Sequence, residues 1–265
     1  MQHDALKGFK ESQRQLWSQF SPIEVLTAPC APKLLRLAGV TAEQRVLDVG
    51  TGTGVVALTA ARMGARVTGV DLTPALIERA RLNASIAEQP DIAWHEGDAE
   101  ALPFEDESFD VVVSQFGHMF APRADLAARE MLRVLRPGGA LCFSTWPPEH
   151  FVGRFFALTA RYSPPPPPDF SPPGAWGDVA VVRERLGDAV HAPRFERGVM
   201  RFNVLSTMHY CRAAEETLGP ARALAQRGDA ETLQRFRAEL KALAEEYFED
   251  NFIRQDYLLT RAVKK

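Results

Sequence analysis

At 265 residues, with 46% hydrophobic and 25% charged residues, the chain has the balance of a globular protein able to bury a proper core, one large α/β domain or a domain with an appended cap. Its formal charge of -3, with no lysine/arginine cluster, argues against a nucleic-acid partner, which ordinarily needs a concentrated basic footprint. Cys30, Cys142 and Cys211 lie far apart with no CxxC pair, which predicts a reducing, cytoplasmic setting and no disulfide framework or zinc knuckle.

The first residues, MQHDALKGFKESQRQLWSQF, are polar and mixed in charge and do not read as a secretory leader; no apolar run is long enough to predict a membrane span. RVLDV (Arg45 to Val49) predicts a buried strand that feeds a glycine-rich turn and then a helix over Val55 to Met63. RVTGVD (Arg66 to Asp71) is a second strand ending in an acid. Thr73 and Pro74 mark the start of the next helix, ALIERARLNASIAE, because the missing N–H of proline costs nothing in a first turn. DIAWHEG predicts a third strand ahead of Asp98, and FDVVVSQF (Phe109 to Phe116) a fourth, its consecutive valines fitting burial on both faces. The stripe Ala127, Ala128, Met131, Leu132 and Leu135 predicts a helix stopped by RPGG at Arg136 to Gly139, and ALCFSTW (Ala140 to Trp146) a fifth strand. This alternation predicts a parallel, doubly wound sheet with right-handed crossovers.

Beyond Trp146, HFVGRFFALTARY reads as helix and SPPPPPDFSPP (Ser163 to Pro173) as a stiff polyproline connector across an edge of the sheet. DVAVVRERLGD returns to helix, and RFERGVMRFNVL predicts a strand. Ser206 to Asp250 reads as helical throughout, with Leu233, Phe236, Leu240, Leu243 and Tyr247 forming a packing face; DYLLTRAVKK closes the chain as a final strand.

Gly50, Gly52 and Gly54 stand at every second position directly after the first strand. A dinucleotide fingerprint counted from Gly50 would need its third glycine where Val55 stands, and no Gly-Lys-Ser/Thr of a P-loop occurs. Asp48, at the base of the turn, would repel a pyrophosphate and attract a cation such as an α-amino group or a sulfonium. Asp71, 23 residues later at the end of the next strand, is placed to accept hydrogen bonds from a ribose diol. The description fits S-adenosylmethionine. An NAD(P)-dependent oxidoreductase and a non-catalytic protein that retains the cofactor fold stand as alternatives.

The stretches VLDVGTGTG, VTGVDLTPALIERAR, EGDAEALPFEDESFDVVVSQFG and MLRVLRPGGALCFSTW resemble the ordered motifs of class I S-adenosylmethionine-dependent methyltransferases, most closely the type 11, ubiquinone/menaquinone-biosynthesis-like small-molecule group; the likeness covers roughly Leu35 to Trp146. It implies an α/β, doubly wound, mostly parallel seven-stranded Rossmann-like sheet with the last strand antiparallel and with helical cap elements. It also implies one methyltransferase domain over 1–265: an N-terminal helical cap (1–34), a cofactor-binding core (35–146), a Pro-rich connector or cap (147–177), and a C-terminal part of the sheet (178–265) carrying a helical insertion (206–250). By the same likeness Gly50, Thr51, Gly52 and Gly54 would wrap the methionine portion of the cofactor, with Asp48 orienting the turn or the ammonium. Asp71 would hold the ribose hydroxyls, Leu72 would pack on the adenine, Asp98 and Ala99 would meet the adenine amino edge, and Gln115 would flank the transferring methyl.

Methyl transfer from a sulfonium asks chiefly for alignment and exclusion of water, with a general base only when the acceptor must lose a proton. His118 and His150 are the candidates for such a base, against ordinary packing or surface roles. The run FEDESFD reads as an exposed loop and not a metal site, having no histidine nearby. SQFGHMF lacks the N-P-P-aromatic signature of enzymes that methylate planar amines in nucleic acids or protein. Phe116, Met119, Phe120, Trp146, Phe151, Phe155 and Phe156 predict an apolar or aromatic small-molecule acceptor, with some of them serving as core. The stretch around Trp17 and Phe20 and the 206–250 segment are expected to set acceptor choice.

Overall fold

The computed structural model describes residues 2–18, 24–227 and 229–265. Its sheet is built from β1 (Arg45–Val49), β2 (Arg66–Asp71), β3 (Ala93–Glu96), β4 (Phe109–Gln115), β5 (Leu135–Thr145), β6 (Arg194–Asn203), β7 (Phe248–Glu249) and β8 (Phe252–Val263). Seven of these run in the order β3-β2-β1-β4-β5-β8-β6, and the two-residue β7 folds back on β8. The first five are parallel, and β8 is antiparallel to both β5 and β6. β1 and β4 are central and buried along almost their whole length, which is why they carry consecutive apolar residues, Val46–Leu47 and Val111–Val113, where an edge strand such as β3 does not.

Around the sheet lie α1 (Gln2–Trp17), α2 (Glu24–Thr27), α3 (Ala31–Ala38), α4 (Val55–Arg62), α5 (Pro74–Ile86), α6 (Ala124–Arg133), α7 (Phe151–Arg161), α8 (Val179–Leu186), α9 (Thr207–Thr217), α10 (Gly219–Arg227) and α11 (Ala230–Glu245). Successive residues of a strand point to opposite faces, and β5 shows both layers. The thiol of Cys142 meets the carbonyl of Leu34 on α3, whereas the ring of the next residue, Phe143, packs edge-on to Trp176 at 5.3 Å. α3 buries Ala31, Leu34, Leu35 and Ala38, the i, i+3, i+4, i+7 positions of one helical face. Among the described residues no helix is long and apolar enough to cross a membrane.

Three sequence expectations are corrected. Leu135 belongs to β5, paired with Phe109, and not to the helix before it. The helix ends at Arg133 without help from RPGG, which instead forms an irregularity inside the strand, where the register shifts between Phe109 and Val111. The 206–250 segment is three helices and a short strand, broken after Thr217 and again before Asp229, whose side chain caps α11 by accepting from the Thr232 N–H at 2.8 Å. The apolar face of α11 is packing: Phe236, Leu240 and Leu243 are buried, and Tyr162 at the end of α7 lies edge-on to Phe236 at 5.4 Å.

Candidate cofactor and acceptor site

A cavity opens over the carboxyl ends of β1, β2 and β4, where ligands of doubly wound sheets bind. Its floor is the glycine turn. Gly50 takes a φ of +65°, and a Cβ there would sit 2.8 Å from the Cα of Gly117, so two backbones pass in contact. Gly52, at φ +55°, has open space where a side chain would stand, and its N–H is held by Asp71 at 2.8 Å. Gly54 begins α4 beneath the ring of Trp94. The outcome is a short stretch of bare backbone facing the cavity at a helix N-terminus.

Asp48 lies fully buried under this turn. One carboxylate oxygen accepts from Thr51 Oγ1 at 2.6 Å and from the Ala57 N–H at 3.1 Å; Oδ1 is buried with no protein partner. Burial pushes its pKa up to about 7, against the lowering effect of those two hydrogen bonds. Burial thus works against the negative charge expected at the base of the turn, while the two hydrogen bonds tie the turn to α4. Asp71 accepts from the Gly52 N–H and, at 2.9 Å, from the Thr73 N–H; burial raises its pKa as well. Each of its oxygens keeps a further lone pair for a ligand hydroxyl. Leu72, Asp98 and Ala99 continue the same wall.

Asp98 is already engaged. It accepts from Lys10 of α1 at 2.5 Å, and the same ammonium reaches the buried Glu100, which Arg123 also holds. Arg14 donates to the Leu72 carbonyl at 3.1 Å, and Trp17 packs on Phe120 with ring centroids 4.6 Å apart. α1 thus lies across the cavity, contributing Lys10, Gln13 and Trp17. No periodicity in the sequence announced Lys10; it becomes visible only once α1 is seen beside Asp98. Phe20 lies outside the described residues.

The remaining wall is apolar. Of the seven residues expected around the mouth, Phe116, Phe120, Trp146, Phe155 and Phe156 border the cavity, whereas Met119 and Phe151 are buried in the core. Phe116 and Trp146 stack face to face at 4.0 Å. Met200 and Phe202 of β6, Tyr210 of α9 and Gln255 of β8 complete this side. The sequence reading overlooked Gln255 because it began the last strand after it, at Asp256. Gln115 donates to the Thr27 carbonyl at 3.0 Å, leaving its buried Oε1 without a partner.

Of the two histidines expected as candidate bases, His118 borders the cavity and His150 does not, so the second expectation is corrected. The His118 ring is buried between Phe143 at 4.7 Å and Trp176 at 4.5 Å, both nitrogens are unpartnered, and burial drives its pKa down to about 3. A group that weakly basic takes no proton from an acceptor at neutral pH. His150 does not border the cavity; it stands beside Glu149 and Arg197, 3.4 Å from the latter. Among the described residues no cluster of three or more histidine, cysteine or acidic side chains has the arrangement to hold a metal ion.

The family described as "Methyltransferase domain" matches residues 47–143. The chain is 37% identical over 247 residues to an uncharacterized protein of Mycobacterium bovis, covering 91% of this chain and 89% of the relative. It is 38% identical over 128 residues to demethylmenaquinone methyltransferase of Tropheryma whipplei, which is 48% of this chain and 52% of that one. Among solved structures, the YcgJ protein of Bacillus subtilis superposes with a TM-score of 0.61 at 20% identity, covering 89% of this chain and 97% of that one. Phosphoethanolamine N-methyltransferase 2 of Haemonchus contortus, in complex with S-adenosyl-L-methionine, does so with 0.58 at 18% identity, covering 89% and 52%. At those identities the two structures speak to the fold.

Proposed function

From the premise that the chain belongs to the S-adenosylmethionine-dependent methyltransferases, we propose that it methylates an apolar or aromatic small molecule. The observation that carries the acceptor class is the wall built by Phe116, Trp146, Phe155, Phe156, Met200 and Phe202 beside the glycine turn. Burying such a surface against an apolar ligand is favourable by about 25 cal/mol per Å². No basic side chain of the described residues stands on that wall to receive a phosphodiester.

The residues on the cofactor side fit S-adenosylmethionine. The open backbone at Gly52, the unpartnered Asp48 Oδ1 and the spare lone pairs of Asp71 offer contacts to the methionine and ribose portions. Gly50, Thr51, Gly52 and Gly54 would cradle the amino-acid end, Asp71 the ribose, Leu72 and Ala99 the adenine, and Gln115 the region of the methyl group. Asp98 would face the adenine with its carboxylate already shared with Lys10. The cofactor supplies a methyl group on a sulfonium, an activated leaving group. The protein orients the acceptor, shields it from water with α1 and the aromatic wall, and presents no strong base to it. The whole chain would act as one unit, 35–146 holding cofactor and the segments 1–34, 147–177 and 206–250 shaping the acceptor side. Its three cysteines are unbridged and buried, which supports a cytoplasmic setting.

The test is transfer of labelled methyl from the cofactor to acceptors in a small-molecule extract, followed by mass spectrometry. Products should be apolar or aromatic. Label found only in nucleic acid, protein or highly charged metabolites would overturn the acceptor class.

A further inference from the structure

Among the polar side chains that interrupt the apolar wall are Gln255 and Tyr210. Gln255 is 4% exposed and borders the cavity, yet its carboxamide forms no hydrogen bond with any described residue. It pairs across the ladder with Met200, on the same face as Phe202 two residues along β6. Tyr210 is 1% exposed and also borders the cavity; its ring stands edge-on to Phe202 at 5.1 Å and to Phe151 at 5.2 Å, and its hydroxyl likewise meets no described partner. Both groups therefore flank Phe202.

Their amide and phenol ends reach the cavity and are not sealed in the core, so an apolar ligand that covered them without offering a hydrogen bond would incur a desolvation cost. Leucine and phenylalanine would fill the same places at no such cost. The charged residues that border the cavity, Lys10, Asp48, Asp71 and Asp98, all come from α1 and the β1–β3 side. None comes from β5, β6, β8, α7 or α9. An ionised acceptor would thus be desolvated beside this wall without a counter-charge.

Resting on the methyl-transfer reading, we propose that Gln255 and Tyr210 form a specificity anchor that grips a neutral oxygen function, a hydroxyl or carbonyl, on an otherwise apolar acceptor. A hydroxyl can donate to the Gln255 carbonyl oxygen while accepting from the Tyr210 hydroxyl; a carbonyl can accept from both the amide and the phenol. The anchor comes from β8 and α9 and not from the turn that holds the cofactor, and its role is to orient the acceptor without taking part in bond making.

The test uses matched probes with the full-length protein saturated with S-adenosylhomocysteine: naphthalene, 2-naphthol and 2-naphthoate, and in a second frame octane, octanol and octanoate. In at least one frame the neutral oxygenated member should bind at least tenfold tighter than both the hydrocarbon and the carboxylate. Gln255→Met and Tyr210→Phe should each shrink that preference three- to tenfold, with hydrocarbon affinity unchanged. S-Adenosylhomocysteine affinity should stay within twofold, and both variants should melt close to the wild-type temperature because the substituted groups face the cavity. A wild type that binds S-adenosylhomocysteine but shows no preference for the neutral oxygenated probe in either frame overturns the anchor alone. So does a preference that survives both substitutions, or variants that lose hydrocarbon and alcohol affinity equally. Failure of the wild type to bind S-adenosylhomocysteine would instead strike the methyl-transfer reading beneath it.

Discussion

Lys10 of α1 and Asp98 beyond β3 meet at 2.5 Å, and the same ammonium reaches Glu100, so one cation shared by two acids fastens the N-terminal helix across the cavity. Glu100 also accepts from the backbone N–H of Arg123 at 2.6 Å and from its Nε at 2.9 Å, so it stays paired when Lys10 is removed. Lys10→Met should cost about 1 kcal/mol or less in global stability. It should nonetheless speed hydrogen exchange over residues 2–17 and accelerate S-adenosylhomocysteine dissociation several-fold. Unaltered exchange in the helix would show that the fastening carries no weight.

Asp71 combines two backbone bonds, to Gly52 and Thr73, with a position bordering the cavity. Asp71→Ala should lose cofactor affinity by about 10- to 150-fold, the range for about 1.5–3 kcal/mol from hydrogen bonds to a charged group. Asp71→Asn has a single acceptor oxygen and so keeps one of the two backbone contacts, from Gly52 or from Thr73, while its amide can still bond a ribose hydroxyl. It should fold normally and lose a smaller factor. Calorimetry with S-adenosylhomocysteine reads both; affinity unchanged in the alanine variant would remove the ribose role.

The cofactor half of this site was legible because its chemistry sits in local motifs: a strand, a turn and an acid within a few residues, repeated at β1, β2 and β3. The acceptor half was legible only in part: Phe116, Phe120, Trp146, Phe155 and Phe156 follow the fourth and fifth strands along the chain, whereas Met200, Phe202, Tyr210 and Gln255 arrive from β6, α9 and β8 and converge only through the sheet order. Tyr210 and Gln255 carry no mutual spacing that a linear reading can use. For Asp48, sequence gives the identity of the acid but not its burial, which raises its pKa. Likewise the proximity of His118 to Gln115 along the chain said nothing of Trp176, which arrives from just past the polyproline stretch to pack on its ring.

Asp48 should leave a signature in the pH dependence of stability. With its folded pKa at about 7 and an ordinary value of 3.8, the folded state binds more protons than the unfolded chain between those limits. Stability from this group is therefore present in acid and lost as pH rises through about 7. Each unit of pKa difference corresponds to about 1.4 kcal/mol, so the swing can reach a few kcal/mol. Asp48→Asn, whose carbonyl can still accept from Thr51 and Ala57, should gain on the wild type steadily from pH 4 to pH 8 in parallel thermal melts. A constant difference across that range would mean that the wild-type carboxyl is already ionised when folded.

His118 supplies the opposite slope and the decisive check on catalysis. Its folded pKa of about 3 lies below the ordinary 6.5, so the unfolded chain binds the extra proton as the medium acidifies. The stability it allows is present above pH 6.5 and is lost as pH falls toward 3. His118→Leu removes that titration, so the variant should improve relative to wild type as pH drops from 6.5 to 4. At pH 7.5 its methyl-transfer rate should stay within about threefold of wild type and the acidic limb of the pH–rate profile should not move. A general base ordinarily contributes about 10²–10⁴-fold. A folded His118→Leu protein that has lost that much kcat would return the imidazole to the reaction, and a His118→Gln variant with the same loss would show that basicity, not packing, was the property removed.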